Sequence, residues 1–240
     1  MLYKTRGIAL HSVKYAESSL IVKTYTETFG LQSYILKGIR GKKSNIKSAL
    51  FQPLTLLDMV VYHREKSSIH PVKEVMLAVP THSTTSDIRK SSIALFLSEL
   101  IYRAIREEEA NDSLFEFLWN SIILLDTTDK GIAGFHLLFS VKLCHFLGFR
   151  PQGNRNETNR FFNLQEGMFH PIFSASHCLN EEQSRWFDQL INTEMTQLSR
   201  LVFPAGMRVE LLDKVLLYYR YHLPGFSGIR SREILHTVLS

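Results

Sequence analysis

Leu31-Gln32-Ser33-Tyr34-Ile35-Leu36-Lys37 is the stretch whose reading decides the fold. Leu31, Ser33, Ile35 and Lys37 alternate with Gln32, Tyr34 and Leu36, which is the period of a β-strand. Glu27-Thr28-Phe29-Gly30 precedes it as a hairpin signal, with Gly30 free to take a positive φ. Gly38 and Gly41 break it into a loop. Working outward, residues 5–13, 19–26, 31–39, 54–62 and 69–77 read as short strands rich in β-branched and aromatic residues. Pro53 opens the fourth, where a missing N–H is tolerated. Five short strands in so short a span predict a small closed barrel, because an open sheet would leave two edges and a bare face. The OB-fold, a five-stranded Greek-key barrel, is one member of that set.

Pro80 ends the strand pattern, and residues 81–87 are a polar linker. From Ile88 the period is helical: Ile93, Leu97, Leu100, Ile101, Ala104 and Ile105 recur at three- to four-residue spacing. Asn111-Asp112-Ser113 cap a second helix. A third is expected over 132–147, closed by Gly148. Residues 149–180 read as an irregular, loop-rich insertion. A helix restarts at Asn180-Glu181-Glu182 and runs to about 196, with Trp186, Leu190 and Ile191 on one face; two more are expected over 207–221 and 231–239. The fold class is therefore α+β: a five-stranded barrel of OB type over 1–80, followed by an all-helical domain over 81–240.

The 240 residues are 45% hydrophobic and 21% charged, which excludes a disordered chain and supplies a core. Cys144 and Cys178 cannot build a disulfide scaffold. Lys4 and Arg6 are followed by an apolar stretch too short for a secretory leader, and no apolar run is long enough to span a membrane. A cytoplasmic location and no membrane partner are expected. The net charge of +5 is unevenly spread. Residues 1–80 hold twelve Lys and Arg against five Asp and Glu, a net of +7, so residues 81–240 carry −2. Positive charge confined to the barrel points to a polyanionic partner there.

The sharpest cluster is Lys37-Gly38-Ile39-Arg40-Gly41-Lys42-Lys43-Ser44-Asn45-Ile46-Lys47, with five cations and no acid. A barrel that binds single strands needs a cationic track for phosphates and aromatic platforms for bases. Lys37, Arg40, Lys42, Lys43 and Lys47 supply the track, and Tyr25, Phe29 and Tyr34 are nearby aromatics. A solvated basic loop is the plainer alternative. Neither the P-loop nor the dinucleotide fingerprint is present, so nucleotide-driven chemistry has no support. No cofactor and no catalytic residue is expected. Cys144-His145 and His177-Cys178 lack the spacing of a structural zinc site, and Cys144 reads as a small buried hydrophobe. An enzyme using His170, His177 and Cys178 is the competing reading from another class.

The opening Thr5-Arg6-Gly7-Ile8-Ala9-Leu10-His11-Ser12 resembles the start of the RecO family of bacterial recombination mediators. So do Glu17-Ser18-Ser19-Leu20-Ile21-Val22, Thr26-Glu27-Thr28-Phe29-Gly30, Lys37-Gly38-Ile39-Arg40-Gly41 and Leu50-Phe51-Gln52-Pro53-Leu54. His222-Leu223-Pro224-Gly225-Phe226 and Ile229-Arg230-Ser231-Arg232-Glu233-Ile234-Leu235 are similar to that family's closing segment. The resemblance implies an OB-fold followed by a helical domain. It also implies binding to single- and double-stranded DNA, strand annealing, help in loading RecA on gapped DNA, and partnership with RecR and single-stranded DNA-binding protein, without nucleotide or catalysis. The loop at 37–47 matches a DNA-binding loop of the family, and Tyr34 and Arg6 join it in the expected DNA-binding set. Phe135, Phe139, Arg103 and Arg150 are the expected contacts to the acidic, aromatic tail of the single-strand binding protein. Some members place basic residues just before the third helix's aromatic, where this chain has Ala133 and Gly134. Some hold zinc on two C-x-x-C pairs in the insertion, where this chain has only Cys178. The insertion is expected to be held by packing of Phe161, Phe162, Met168 and Phe169. A general single-stranded DNA- or RNA-binding module on the same barrel is the runner-up.

Overall fold

A computed structural model describes residues 1–37, 48–64, 67–204 and 206–239. By its internal contacts the chain divides into two compact units, Met1–Asp87 with Ala94–Asp126, and Ile88–Ile93 with Thr127–Ser240. The unit that holds the barrel thus extends beyond residue 80 to take in helical residues.

In the first unit, β1 (Leu2–Ala16), β2 (Ser19–Thr26), β3 (Gly30–Lys37), β4 (Leu56–Tyr62) and β5 (His70–Leu77) close into a barrel in the order β1-β2-β3-β5-β4. Neighbours are antiparallel except β3 and β5, which are parallel. This is the Greek-key order of an OB-fold. β1 is longer than the expected 5–13 because it serves two partners, β4 along Leu2 to Ile8 and β2 from Gly7 onward. Gly7 sits where both pairings meet, and a Cβ there would come within 2.8 Å of Thr24 Cγ2 and 2.9 Å of Met59 Sδ. Register shifts after Ala9 and after Lys14 bend β1 around the barrel. β4 starts at Leu56 rather than 54 because Leu54 is left-handed, with φ 62, and its N–H bonds to Ala9 O at 2.8 Å. The interior is packed by Ala9, Leu20, Val22, Tyr34, Leu36, Phe51, Leu57, Met59 and Val61.

Helices cover part of the outside. The short α1 (Ser83–Ser86) precedes α2 (Ile88–Ala104), whose Ser98 Oγ donates to Leu10 O at 2.5 Å and whose Tyr102 ring stacks on His11 at 5.3 Å. α3 (Asp112–Thr127) is capped by Asn111, which accepts from Leu114 N–H at 3.0 Å. The segment before it lies on the start of β3: Leu31 N–H donates to Glu107 O at 3.2 Å.

In the second unit a 3-10 turn, Ile132–Gly134, leads into α4 (Phe135–Phe146), so the expected helix begins later as an α-helix. Gly148, at φ 82, ends it as expected: Phe149 N–H donates to Cys144 O at 3.1 Å and Gly148 N–H to His145 O at 3.4 Å. The insertion is more regular than expected. β6 (Phe161–Asn163) and β7 (Met168–His170) form a hairpin. α5 (Glu181–Asn192) carries a full capping box between Asn180 and Gln183. Its buried face is Gln183, Ser184, Phe187 and Leu190, and not the face of Trp186 and Ile191. α6 (Met207–His222) and α7 (Arg232–Leu239) complete the unit. Among the described residues no helix is long and apolar enough to cross a membrane.

Candidate nucleic-acid interface

The outer face of β1, β2 and β3 carries residues of opposite parity to the core. Cross-strand pairing sets Val13 beside Ile21 and Ile21 beside Ile35. It likewise sets His11 beside Lys23, Lys23 beside Ser33, and Ser19 beside Lys37. The half of this face near Gly30 is closed: Leu31 and Ser33 are buried, and the backbone of Glu109 fills the space over Gly30. The half near Lys37 is open, with Ile21, Lys23 and Ile35 half-buried and Val13, Tyr15 and Lys37 exposed, while Lys14, paired with the core residue Leu20, is exposed on the opposite side of β1. Lys23 and Lys37 lie roughly 13 Å apart along the strand direction. Glu17, in the turn between β1 and β2, is the one acid of this hairpin. Lys23 and Lys37 on this apolar strip, against Glu17 in the turn, leave the open half net positive. The acidic run Glu107-Glu108-Glu109 stands at the other end of β3, so the barrel is polar along that strand.

The face made by β1, β4 and β5 is different. It forms a groove of about 440 Å³ lined by Lys4, Arg6, Glu27, Asp58, Glu74 and Met76, with more acid than base. That groove does not suit a polyanion.

Of the expected DNA-binding residues, Lys37 is exposed at the end of β3. Arg40, Lys42, Lys43 and Lys47 lie outside the described residues. Tyr34 is not a platform for bases. Its side chain is fully buried inside the barrel, its ring 5.9 Å from that of His70, and burial pushes its hydroxyl up to about 12. Tyr25 is buried against Phe115, and the Phe29 ring stacks on His63 at 4.0 Å. Tyr34 fills the closed barrel, whereas Tyr25 lies on its outer side beneath Phe115 of α3, so filling and helix cover take up these rings.

Arg6 is likewise committed to the fold. Its Nε and Nη2 donate to the two carboxylate oxygens of Glu27 at 3.0 and 2.7 Å, and Nη2 also pairs with Glu116. Its guanidinium lies 5.0 Å from the ring centres of Phe115 and Trp119. Hydrogen bonding to Arg6 holds the Glu27 carboxyl below the usual range. Lysine cannot reproduce this two-pronged, stacked arrangement. Arg6→Lys is expected to cost about 1–2 kcal/mol of stability in a urea titration and to leave DNA affinity at constant salt unchanged. A loss of affinity with unchanged stability would return Arg6 to the interface.

The residues expected to receive a peptide tail are also mostly engaged. Phe135 and Phe139 are fully buried in α4, rings 6.5 Å apart, and line no open slot. Arg103, in the first unit, pairs with Glu99 at 2.8 Å. Arg150, in the second, is exposed.

Among the described residues no three His, Cys, Asp or Glu side chains gather so as to hold a metal ion. Cys144 and Cys178 are both buried, and burial pushes the Cys144 thiol up, away from a reactive thiolate.

Lys14, Tyr15 and Lys23 were not singled out in the sequence. The alternation of Ser19, Ile21 and Lys23 with Leu20, Val22 and Thr24 carried the signal for Lys23, since it aligns with Lys37 once the hairpin register is drawn.

An OB-type barrel with an open basic strip, joined to a helical unit, defines the class to which the chain belongs. Residues 1–80 match the family model described as Recombination protein O N terminal, and residues 85–233 match Recombination protein O C terminal. The chain is 39% identical to DNA repair protein RecO of Flavobacterium psychrophilum over the full length of both. It is 37% identical to DNA repair protein RecO of Bacteroides fragilis over 98% of each chain, and 30% identical to that of Porphyromonas gingivalis over 99% of each. The chain belongs to the RecO family of DNA repair proteins.

Proposed function

We propose that this protein binds DNA through the open half of the β1–β2–β3 face and the adjoining loop at 37–47, and brings complementary strands together without catalysing a covalent step. The observation that carries the reading is the meeting of two things at one place. Lys23 and Lys37 share the outer face of β2 and β3, and after Lys37 the sequence continues through Arg40, Lys42, Lys43 and Lys47 with no acid among them. In a bacterial cytoplasm such a protein, with RecR and the acidic tail of single-stranded DNA-binding protein, helps place RecA on gapped DNA. Residues 81–240, at a net charge of −2, suit the protein partners better than phosphates. Both single- and double-stranded DNA are within the reach of a phosphate-directed track.

The test is binding and annealing of labelled complementary strands across a range of salt. Affinity is expected to fall with salt, with a slope of ~0.7 per phosphate contact on a single strand. Changing Arg40, Lys42 and Lys43 together to alanine is expected to shallow that slope by about 2 and to slow annealing. An unchanged slope removes the loop from the interface. RNA bound as tightly as DNA, with no annealing, would favour a general single-strand-binding module.

A further inference from the structure

Tyr15 is the residue the reading above leaves unused. β1 and β2 pair Lys14 with Leu20 and then Ala16 with Ser19, so Tyr15 is the extra residue of a bulge. Bulges re-aim a side chain and are conspicuous beside functional sites. Of the described aromatic side chains it is the most exposed, at 65%. It is not isolated: Val13, 52% exposed, precedes it on the same strand, and the Val13–Ile21–Ile35 row continues the apolar surface across three strands. The next row, Ala16–Ser19–Lys37, ends at the first cation of the loop. A ring, an apolar strip and a cation in adjacent rows are the two components that a single-strand site needs, a flat apolar surface for a base and positive charge for its phosphate. A duplex keeps its base faces stacked inside and offers such a ring nothing.

We infer that Tyr15 is a stacking platform for an unpaired base, and that it makes the barrel's DNA site prefer single strands that carry bases over strands that offer only phosphates. This rests on the proposed DNA-binding role and adds to it a residue and a preference. The neighbouring cations hold any phosphate chain; Tyr15 adds affinity only where a base is free to lie on it.

The experiment is fluorescence anisotropy with the full chain and two labelled strands of equal length and charge, an oligothymidylate and its abasic counterpart, at one salt concentration. The intact protein is expected to bind the thymidylate more tightly. Tyr15→Ala is expected to weaken thymidylate binding by roughly 5- to 150-fold, the range for one stacked base, and to leave abasic binding and the salt slope unchanged. Tyr15→Phe, which keeps the ring, is expected to restore the preference. Equal binding of the two strands by the intact protein, or an equal loss on both in Tyr15→Ala, overturns the inference while leaving the phosphate track standing. Failure of the intact protein to bind either strand overturns both.

Discussion

Replacing Phe162 by alanine is expected to lower folding stability by about 3–5 kcal/mol, more than any substitution on the open basic strip of the barrel. Phe162 is fully buried at the centre of the insertion. Its ring lies 5.1 Å from Phe169, 4.4 Å from Phe187 on α5 and 5.8 Å from Tyr218 on α6. Its backbone is held as well: its N–H donates to Ser184 Oγ at 3.0 Å, and its carbonyl accepts from Leu179 N–H at 2.9 Å. One side chain therefore joins the hairpin to two helices. Phe161, its neighbour, points the other way in the strand, against Phe173 near the surface, so Phe161→Ala is expected to cost under about 1.5 kcal/mol. Urea titration separates the two. Limited trypsin digestion should show faster cleavage at Arg155 and Arg160 in Phe162→Ala alone. Cys178 is the only cysteine between Phe149 and Asn180, so a chelator is expected to leave the unfolding curve in place, and elemental analysis to find no stoichiometric zinc. A chelator-sensitive transition, or Phe161 and Phe162 costing the same, would refute this account.

The hairpin also shows where sequence reasoning stops. Phe162 and Phe169 are buried as expected, but Met168 is exposed, because alternation in β7 turns it away from Phe169. Signals carried by a few adjacent residues were legible: the bounds of β2, the Asn111 cap, the left-handed Gly148 and the start of α5 at Asn180. Properties that arise only on closure were not. Alternation in β3 suggests one wet face, yet Gly30 to Tyr34 are all buried, since the barrel interior takes one side and the segment at 107–109 covers the other. The same closure hid the candidate site. Lys23 and Lys37 are fourteen residues apart in sequence, and only the β2–β3 register brings them onto one face. Arg6 looked like a free cation because Glu116, which pairs with it, lies 110 residues away. A phosphate track can be recognised from composition, but which cations remain free for it depends on long-range pairing.

Acid is expected to weaken the fold through His136 well before the carboxylates account for all of the loss. His136 is buried in α4, and burial, assisted by the charge of Arg208, pushes its imidazole down to about 3. In the unfolded chain it keeps an ordinary value near 6.5. Between these values the unfolded chain binds a proton that the folded chain refuses, so stability rises with pH there. The contribution is complete above about pH 6.5 and is lost as pH falls, at about 1.4 kcal/mol per unit, reaching about 3 kcal/mol at pH 4.5. His70, buried in the barrel and also held below its usual value by burial and by His63, acts in the same direction. Glu27 and Asp126, whose carboxyls are held low by their hydrogen bonds, contribute losses of the same sign at lower pH. A comparison isolates His136. His136→Gln keeps a polar side chain of similar size that does not titrate. It is expected to be less stable than the natural protein at pH 7.5, yet to lose about 2–3 kcal/mol less on going to pH 4.5, because only the His136 term differs between the two. Urea titrations followed by fluorescence at both pH values read this directly. Equal acid losses in the two proteins would show that His136 takes up its proton inside the fold, and that the burial around α4 does not exclude the charge.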